Sequence, residues 1–268
     1  MNKNLQEIQL ASSVRVVLMR TTHPGNIGAV ARAMKNMGLN KLCLVNGADE
    51  SSQDARRRAA GAENVLESAV VTSSIDEALD GVQLVIGASA RNRKMVWPLM
   101  NPRDCASLIA KKVFNSESSS SPIQVALLFG QEASGLSNEE LQRCHYHVNI
   151  PAVADFSSLN LAMAVQLVCY EIRMAMLLDN TGEASHQLTS SILSSDDEGW
   201  DEPPAAVEEI EGFFRHLEET LIKIGFHDPE TPRQLMTRLR RLYQRAHLDK
   251  MEVNILRGIL SASQKHTK

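Results

Sequence analysis

Val14-Arg-Val-Val-Leu-Met19, followed by His23-Pro-Gly-Asn-Ile-Gly-Ala-Val-Ala-Arg-Ala-Met34, decides the fold. The first run is the apolar stretch of a buried strand, Pro24-Gly25-Asn26-Ile27-Gly28 is a tight turn, and a helical pattern occupies about 27–37. The same alternation continues along the chain. Apolar runs at 42–45, 82–86, 123–129 and 146–150 read as strands, and helical patterns fall around 54–60, 75–80 and 102–112. Strands alternating with helices predict an α/β domain with a mostly parallel sheet covered on both faces.

From Ser158 to Leu178 the pattern is one long helix, with Ser157 or Ser158 as its cap. Ser116 to Pro122 is a surface loop, and 179–204, rich in Ser, Thr, Asp, Glu and Gly, is a linker. Helical spacing over 205–224, 232–245 and 251–263 predicts a small all-helical C-terminal domain. The expected organisation is therefore a domain at 1–178, a linker at 179–204 and a helical extension at 205–268. A chain of 268 residues is long enough to bury a sizeable core in such an arrangement.

Net charge of −4 speaks against a polyanionic partner until it is divided along the chain. Residues 1–178 carry +1, residues 179–230 carry −12 and residues 231–268 carry +7. The basic end is what phosphate contacts require. Cys43, Cys105, Cys144 and Cys169 form no CxxC pair, the start lacks a secretion signal, and no apolar stretch spans a bilayer, so a cytoplasmic protein without membrane insertion is expected. Cys144-His145-Tyr146-His147 lies in a strand pattern with no second ligand pair in zinc spacing, and no metal is expected.

Three blocks combine small residues with isolated polar groups. In the first, Gly28 and Arg32 are four residues apart and share a helix face, leaving space beside the guanidinium; neither G-x-x-x-x-G-K-[ST] nor G-x-G-x-x-G is present. In the second, Leu128-Phe-Gly-Gln-Glu-Ala-Ser-Gly-Leu136, Glu132 follows a strand, at the edge where open α/β sheets bind ligands, and is placed to pair with Arg32. Ser137 or Asn138 caps the next helix there. In the third, Asn149-Ile-Pro151 precedes Ser157-Ser-Leu-Asn-Leu-Ala-Met-Ala-Val165, whose Ala and Met residues suit a close-packed face.

Over residues 14 to about 178 these blocks together resemble the signature motifs of the SPOUT (SpoU–TrmD) class of RNA methyltransferases, in spacing closest to its TrmJ-type tRNA 2′-O-methyltransferases. The resemblance implies a deep C-terminal trefoil knot, in which the chain after Ile150 threads a loop, and a homodimer in which Arg32 can serve either active site. It implies S-adenosylmethionine as cofactor, contacted by Ala88, Ser89, Ala90, Gly130, Ile150, Ser157, Ser158 and Leu159. Arg32 would activate the ribose hydroxyl, with Asn26, Glu132, Ser158 and Asn160 holding the geometry. Guanidinium groups keep their protons at neutral pH, so orientation of the 2′-oxygen and stabilisation of an incipient alkoxide suit Arg32 better than proton abstraction. Gln131 departs from the arginine common at that position in the family.

The implied substrate is tRNA, methylated on cytidine or uridine at nucleotide 32 of the anticodon loop. RNA phosphates would be gripped by Arg56, Arg57 and Arg58, by Arg91, Arg93 and Lys94 near Trp97, and by Arg238, Arg241 and Arg245 on a basic helix that also holds Arg240 and Tyr243. Two other readings stand beside this one: a related enzyme acting on ribosomal RNA, and a catalytically silent RNA-binding protein of the same fold.

Overall fold

The structure, a computed structural model, describes residues 3–89, 98–114, 123–153, 156–179 and 203–266. In chain order the elements are α1 (Lys3–Ser13), β1 (Val14–Met19), α2 (Pro24–Asn36), β2 (Lys41–Val45), α3 (Gln53–Ala59), α4 (Glu63–Glu67), β3 (Val70–Thr72), α5 (Ile75–Ala78), β4 (Leu84–Ala88), β5 (Leu99–Met100), α6 (Pro102–Phe114), β6 (Val125–Phe129), α7 (Asn138–Gln142), β7 (Tyr146–Val148), α8 (Leu161–Asp179), α9 (Val207–Lys223), α10 (Leu235–Gln244) and α11 (Lys250–His266). The chain divides into two compact units, one of 1–79 with 84–194 and one of 80–83 with 195–268. The expected linker at 179–204 lies, apart from Asp179 and 203–204, outside the described residues, as does the loop at 116–122.

In the first unit seven strands form one sheet in the order β3-β2-β1-β6-β4-β7-β5, and every pairing is parallel. Their C-terminal ends therefore share one edge. Central strands are buried on both faces, as their continuous apolar runs require. Val14, Val16 and Leu18 of β1 belong to the main core with Ile27, Val30 and Met34 of α2 and with Val165, Val168, Cys169, Ile172 and Met176 of α8, while Val17 and Met19 are buried on the opposite face. Gly87 of β4 faces that second side, where an added Cβ would approach Cys144 Sγ at 2.7 Å and Leu136 and Leu141 at 3.1 and 3.4 Å.

The strand expected at 82–86 is displaced by two residues, and the one expected at 146–150 is shortened. β4 starts at Leu84, where pairing with Val125 begins, and β7 stops at Val148, after which the Asn149 side-chain amide donates to the Ser89 carbonyl at 2.8 Å. β3 and β5, the two edges, carry too few residues to show alternation. β7 lies between β4 and β5 in the sheet, although β4 and β5 are consecutive in the chain.

The second unit is helical. Phe213, Phe214 and Leu217 of α9 meet Val253 of α11, and Tyr243 of α10 stands edge-on to Phe213 with ring centroids 4.9 Å apart. Arg240 is turned into this packing, its guanidinium 4.3 Å over the Phe214 ring and paired with Glu211. Its charge is therefore used within the unit. No helix among the described residues is long and apolar enough to cross a membrane.

Candidate functional site

The site grows from the C-terminal ends of β1, β6, β4 and β7. β1 ends at Met19, and Arg20 takes a left-handed backbone conformation (φ 50°) while its N–H donates to the Val45 carbonyl at 2.8 Å. The chain then passes through Thr21, Thr22 and His23 into α2, with Pro24 in the first turn, where a missing N–H costs nothing. From β6 the chain runs through Gly130 into a tight turn, in which the Gly135 N–H donates to the Gln131 carbonyl at 2.8 Å and Gly135 is left-handed (φ 69°). Gly130 has no room for a side chain: a Cβ would lie 2.0 Å from the Gly135 carbonyl carbon and 2.1 Å from the Leu136 nitrogen. Gln131 accepts from Ser134 Oγ at 2.9 Å and so helps to close that turn.

Glu132 is the anchor of this region. Its carboxylate accepts from the Thr22 N–H at 3.1 Å, Thr22 Oγ1 at 3.2 Å, the His23 N–H at 3.4 Å and Asn26 Nδ2 at 2.9 Å. Burial pushes its carboxyl up, but the bonds from Asn26 and from the backbone N–H groups of Glu132, Thr22 and His23 outweigh that and hold it below the usual carboxylate range. It is thus an ionised cap on the entry to α2 and a weakened base. Asn26 uses both ends of its amide, since its Oδ1 accepts from Asn160 Nδ2 at 3.3 Å. Asn160 in turn caps α8 by accepting the Ala162 N–H at 3.0 Å. The helix thus starts at Leu161 with Asn160 as cap, and not at Ser158 behind Ser157 or Ser158 as the sequence pattern suggests; the amide oxygen reaches the second helical N–H.

Asn26, Glu132 and Asn160 are therefore joined in one chain of hydrogen bonds. Arg32 is not part of it. Six residues beyond Asn26 on α2, it points about 120° away around the helix and about 9 Å along it, is exposed, and makes no ion pair or hydrogen bond among the described residues. The expected pairing of Glu132 with Arg32 is not made: Arg32 leaves α2 on another side, and Thr22, His23 and Asn26 supply the donors around the carboxylate. Gly28 also serves another purpose than making room for that guanidinium. A Cβ on it would lie 2.0 Å from the Ala55 carbonyl oxygen, so Gly28 lets α2 and α3 pack backbone to backbone.

Ala88, Ser89, Gly130 and Ile150 are half-buried at neighbouring strand ends, and the Ser89 N–H donates to the Val148 carbonyl at 3.0 Å, joining two of these loops. Ser157 and Leu159 are half-buried and Ser158 is exposed, in the segment before α8. Ala90, Arg91, Arg93, Lys94 and Trp97 lie outside the described residues. Arg56, Arg57 and Arg58 are exposed on α3; Arg57 pairs with Asp54 at 3.1 Å, and Arg58 passes its stem beside Gly25 at the start of α2. Arg238 and Arg245 are exposed on or just after α10, with Arg241 partly so. Among the described residues no group of His, Cys, Asp and Glu is arranged to hold a metal ion.

Sequence reasoning missed Arg20, Thr22 and Phe156. Arg20 makes a two-pronged ion pair with Glu140, Thr22 supplies two of the bonds to Glu132, and Phe156 is 80% exposed next to Ser157. The Ser-x-x-Glu spacing of Ser137 and Glu140 signalled the cap on α7, which forms, but nothing local pointed to the partner at Arg20.

Residues 13–170 match the SpoU rRNA Methylase family, and residues 208–268 match the C-terminal domain of the tRNA methyltransferase TrmJ. The chain is 48% identical over 260 residues to the tRNA (cytidine/uridine/adenosine-2′-O-)-methyltransferase TrmJ of Pseudomonas aeruginosa, covering 94% of each chain. It is 45% identical over 257 residues to the tRNA (cytidine/uridine-2′-O-)-methyltransferase TrmJ of Pectobacterium atrosepticum, covering 96% of this chain and 98% of that one. Among solved structures it resembles TrmJ from Z. mobilis, with a TM-score of 0.74 and 32% identity over 92% of this chain and 97% of the other. It also resembles a probable methylase family protein from Haemophilus influenzae, with a TM-score of 0.58 and 42% identity over 94% and 96%.

Proposed function

From a chain that belongs to the SpoU rRNA methylase family, and within it to the TrmJ-type tRNA 2′-O-methyltransferases, we propose an enzyme that uses S-adenosylmethionine to methylate the ribose of cytidine or uridine at nucleotide 32 of tRNA. The observation that carries this reading is the bonded chain Asn160, Asn26 and Glu132, which draws one residue or more from each of the three small-residue blocks to one sheet edge. We take the set Asn26, Arg32, Glu132, Ser158 and Asn160 as the catalytic group.

The strand ends fit the cofactor: Ala88, Ser89, Gly130 and Ile150 present backbone polar groups and small or apolar side chains, which suit an adenosine, and Ser157, Ser158 and Leu159 would close over it. When bound, S-adenosylmethionine supplies an electrophilic methyl group. The protein's own task is to hold the 2′-oxygen in line with that methyl and to stabilise its developing charge. Arg32, exposed and uncommitted among the described residues, presents a planar fork of donors for that oxygen; the proton leaves to water or an RNA phosphate. Glu132 and Asn160, through Asn26, fix the start of α2 and hence the helix from which Arg32 projects.

We infer a trefoil knot, in which the chain after Ile150 threads a loop, and a homodimer. The dimer is supported by Phe156, Met163, Leu167 and Tyr170, large apolar side chains exposed before and along one side of α8. It would also let Arg32, turned away from its own Asn26, serve a neighbouring active site. The domain limits proposed are 1–178 and 205–268, joined by a linker at 179–204, and the cell location proposed is the cytoplasm. Phosphate contacts are assigned to Arg56–Arg58 and to Arg238, Arg241 and Arg245. Incubation with labelled S-adenosylmethionine and total RNA, followed by mapping of the modified nucleotide, tests the reading: label at tRNA nucleotide 32 supports it, while label confined to ribosomal RNA, or none, refutes it.

A further inference from the structure

A second clamp joins the same two loops that Glu132 joins, and nothing in the family motifs accounts for it. Arg20, at the end of β1, directs its guanidinium at the carboxylate of Glu140 on α7; both oxygens are engaged, Nη2 donating to Oε2 at 3.1 Å. The side chain of Glu140 is 7% exposed and that of Arg20 40%. The same carboxylate accepts the Ser137 N–H at 2.7 Å, while the Glu140 N–H donates to Ser137 Oγ at 3.2 Å. Arg20 is thereby tied to the far end of the turn that begins at Gly130 and carries Glu132.

The arrangement is costly in isolation. A left-handed backbone at a non-glycine residue crowds its Cβ against the neighbouring carbonyl and disfavours the fold, and a nearly buried carboxylate needs its partner to offset lost hydration. Strain of this kind persists where surrounding bonds over-determine it, and it clusters at functional sites. Here it lies two residues before Thr22, whose N–H and hydroxyl grip Glu132. The 131–137 segment is thus pinned at both ends to 20–26, by Arg20 with Glu140 and by Glu132 with Thr22, His23 and Asn26. Rotation of that segment about either clamp alone would move Glu132 relative to Asn26.

We propose that Arg20 and Glu140 are a positioning pair for methyl transfer, setting the place of Glu132, and through it Asn26 and the start of α2, without touching substrate. The inference rests on the methyltransferase reading above. Salt, cofactor affinity and folding are not its targets; the geometry of the reacting groups is.

The test compares full-length wild type with Arg20→Met, Arg20→Lys, Glu140→Gln, Glu132→Gln and the Arg20→Met/Glu132→Gln double variant, below the onset of melting. Measured are kcat, KM for tRNA and calorimetric affinity for S-adenosylmethionine. Misplacement of a positioned group by a fraction of an ångström predicts a fall in kcat of about tenfold for Arg20→Met, with cofactor affinity within about twofold of wild type. Arg20→Lys should fall between, since a point charge replaces a fork. Because both clamps act on one segment, the double variant should be no slower than Glu132→Gln alone. Wild-type kcat in Arg20→Met, or losses that multiply in the double variant, overturns the pair's role. Should Arg20→Met not fold, Arg20→Lys with Glu132→Gln decides by the same comparison. Absence of transfer in the wild type would instead count against the methyltransferase reading itself.

Discussion

Asn160 Nδ2 donates to Asn26 Oδ1 at 3.3 Å, across 134 positions of chain, and Asn26 Nδ2 donates to Glu132 at 2.9 Å. The amide is oriented by both neighbours: the carboxylate fixes which end of Asn26 donates, and so fixes which end faces Asn160.

A pH dependence follows from the Glu132 carboxyl, held below the usual range by Asn26 and backbone N–H groups against the cost of burial. A depressed folded value means the contribution to stability is complete above the unfolded value of about 4.3 and is lost as pH falls through the lower folded value. Asn26→Ala removes one donor, so the carboxyl should titrate at higher pH and the acid limb of activity should move up with it. Carboxyl-carbon NMR titration of both proteins checks the direction; an unchanged or lower midpoint contradicts the bond's role.

Arg32→Ala should abolish methyl transfer while S-adenosylmethionine still binds, because the role proposed for the guanidinium is toward the acceptor oxygen and not toward the cofactor. Arg32→Lys should restore little, as an ammonium does not reproduce the planar fork. Single-turnover rates alongside calorimetry separate the two effects.

Gly28→Ala places a methyl 2.0 Å from the Ala55 carbonyl oxygen, a backbone atom that cannot swing aside. Separation of α2 from α3 should cost about 1–3 kcal/mol and lower the melting temperature by several degrees, whereas Gly61→Ala, with nothing within 4 Å but φ at 91°, reports backbone strain alone. Equal melting of Gly28→Ala and wild type would show that the helices readjust freely.

Residues 231–268 carry +7. A chain ending near Leu178 should keep cofactor binding but lose tRNA affinity, with a flatter dependence on salt because fewer counterions are released. Gel shifts at two salt concentrations decide whether α10 and α11 contribute phosphate contacts.

The alternating apolar runs made the parallel sheet legible, and the helical spacing beyond 205 made the C-terminal helices so, because burial on both faces or along one stripe writes itself into composition. β3 and β5 were invisible, as two or three residues carry no period. In the site, Glu132, Asn26 and Asn160 were readable as polar groups in small-residue blocks. Their partners were not: Arg20 finds Glu140 and Glu132 finds Thr22 across more than a hundred positions, and no local pattern encodes such a meeting. That Gly28 leaves space on its helix face for a close approach was readable; that the approaching group is the α3 backbone was not, since that surface belongs to another part of the chain.

The central claim is that the acceptor is one ribose hydroxyl. Two transcripts of the same tRNA, identical except that one lacks the 2′-hydroxyl at nucleotide 32, isolate that atom. With labelled S-adenosylmethionine, the ribose transcript should take up one methyl at that nucleotide and the deoxy transcript none; equal labelling of both would place the methyl elsewhere and contradict the account.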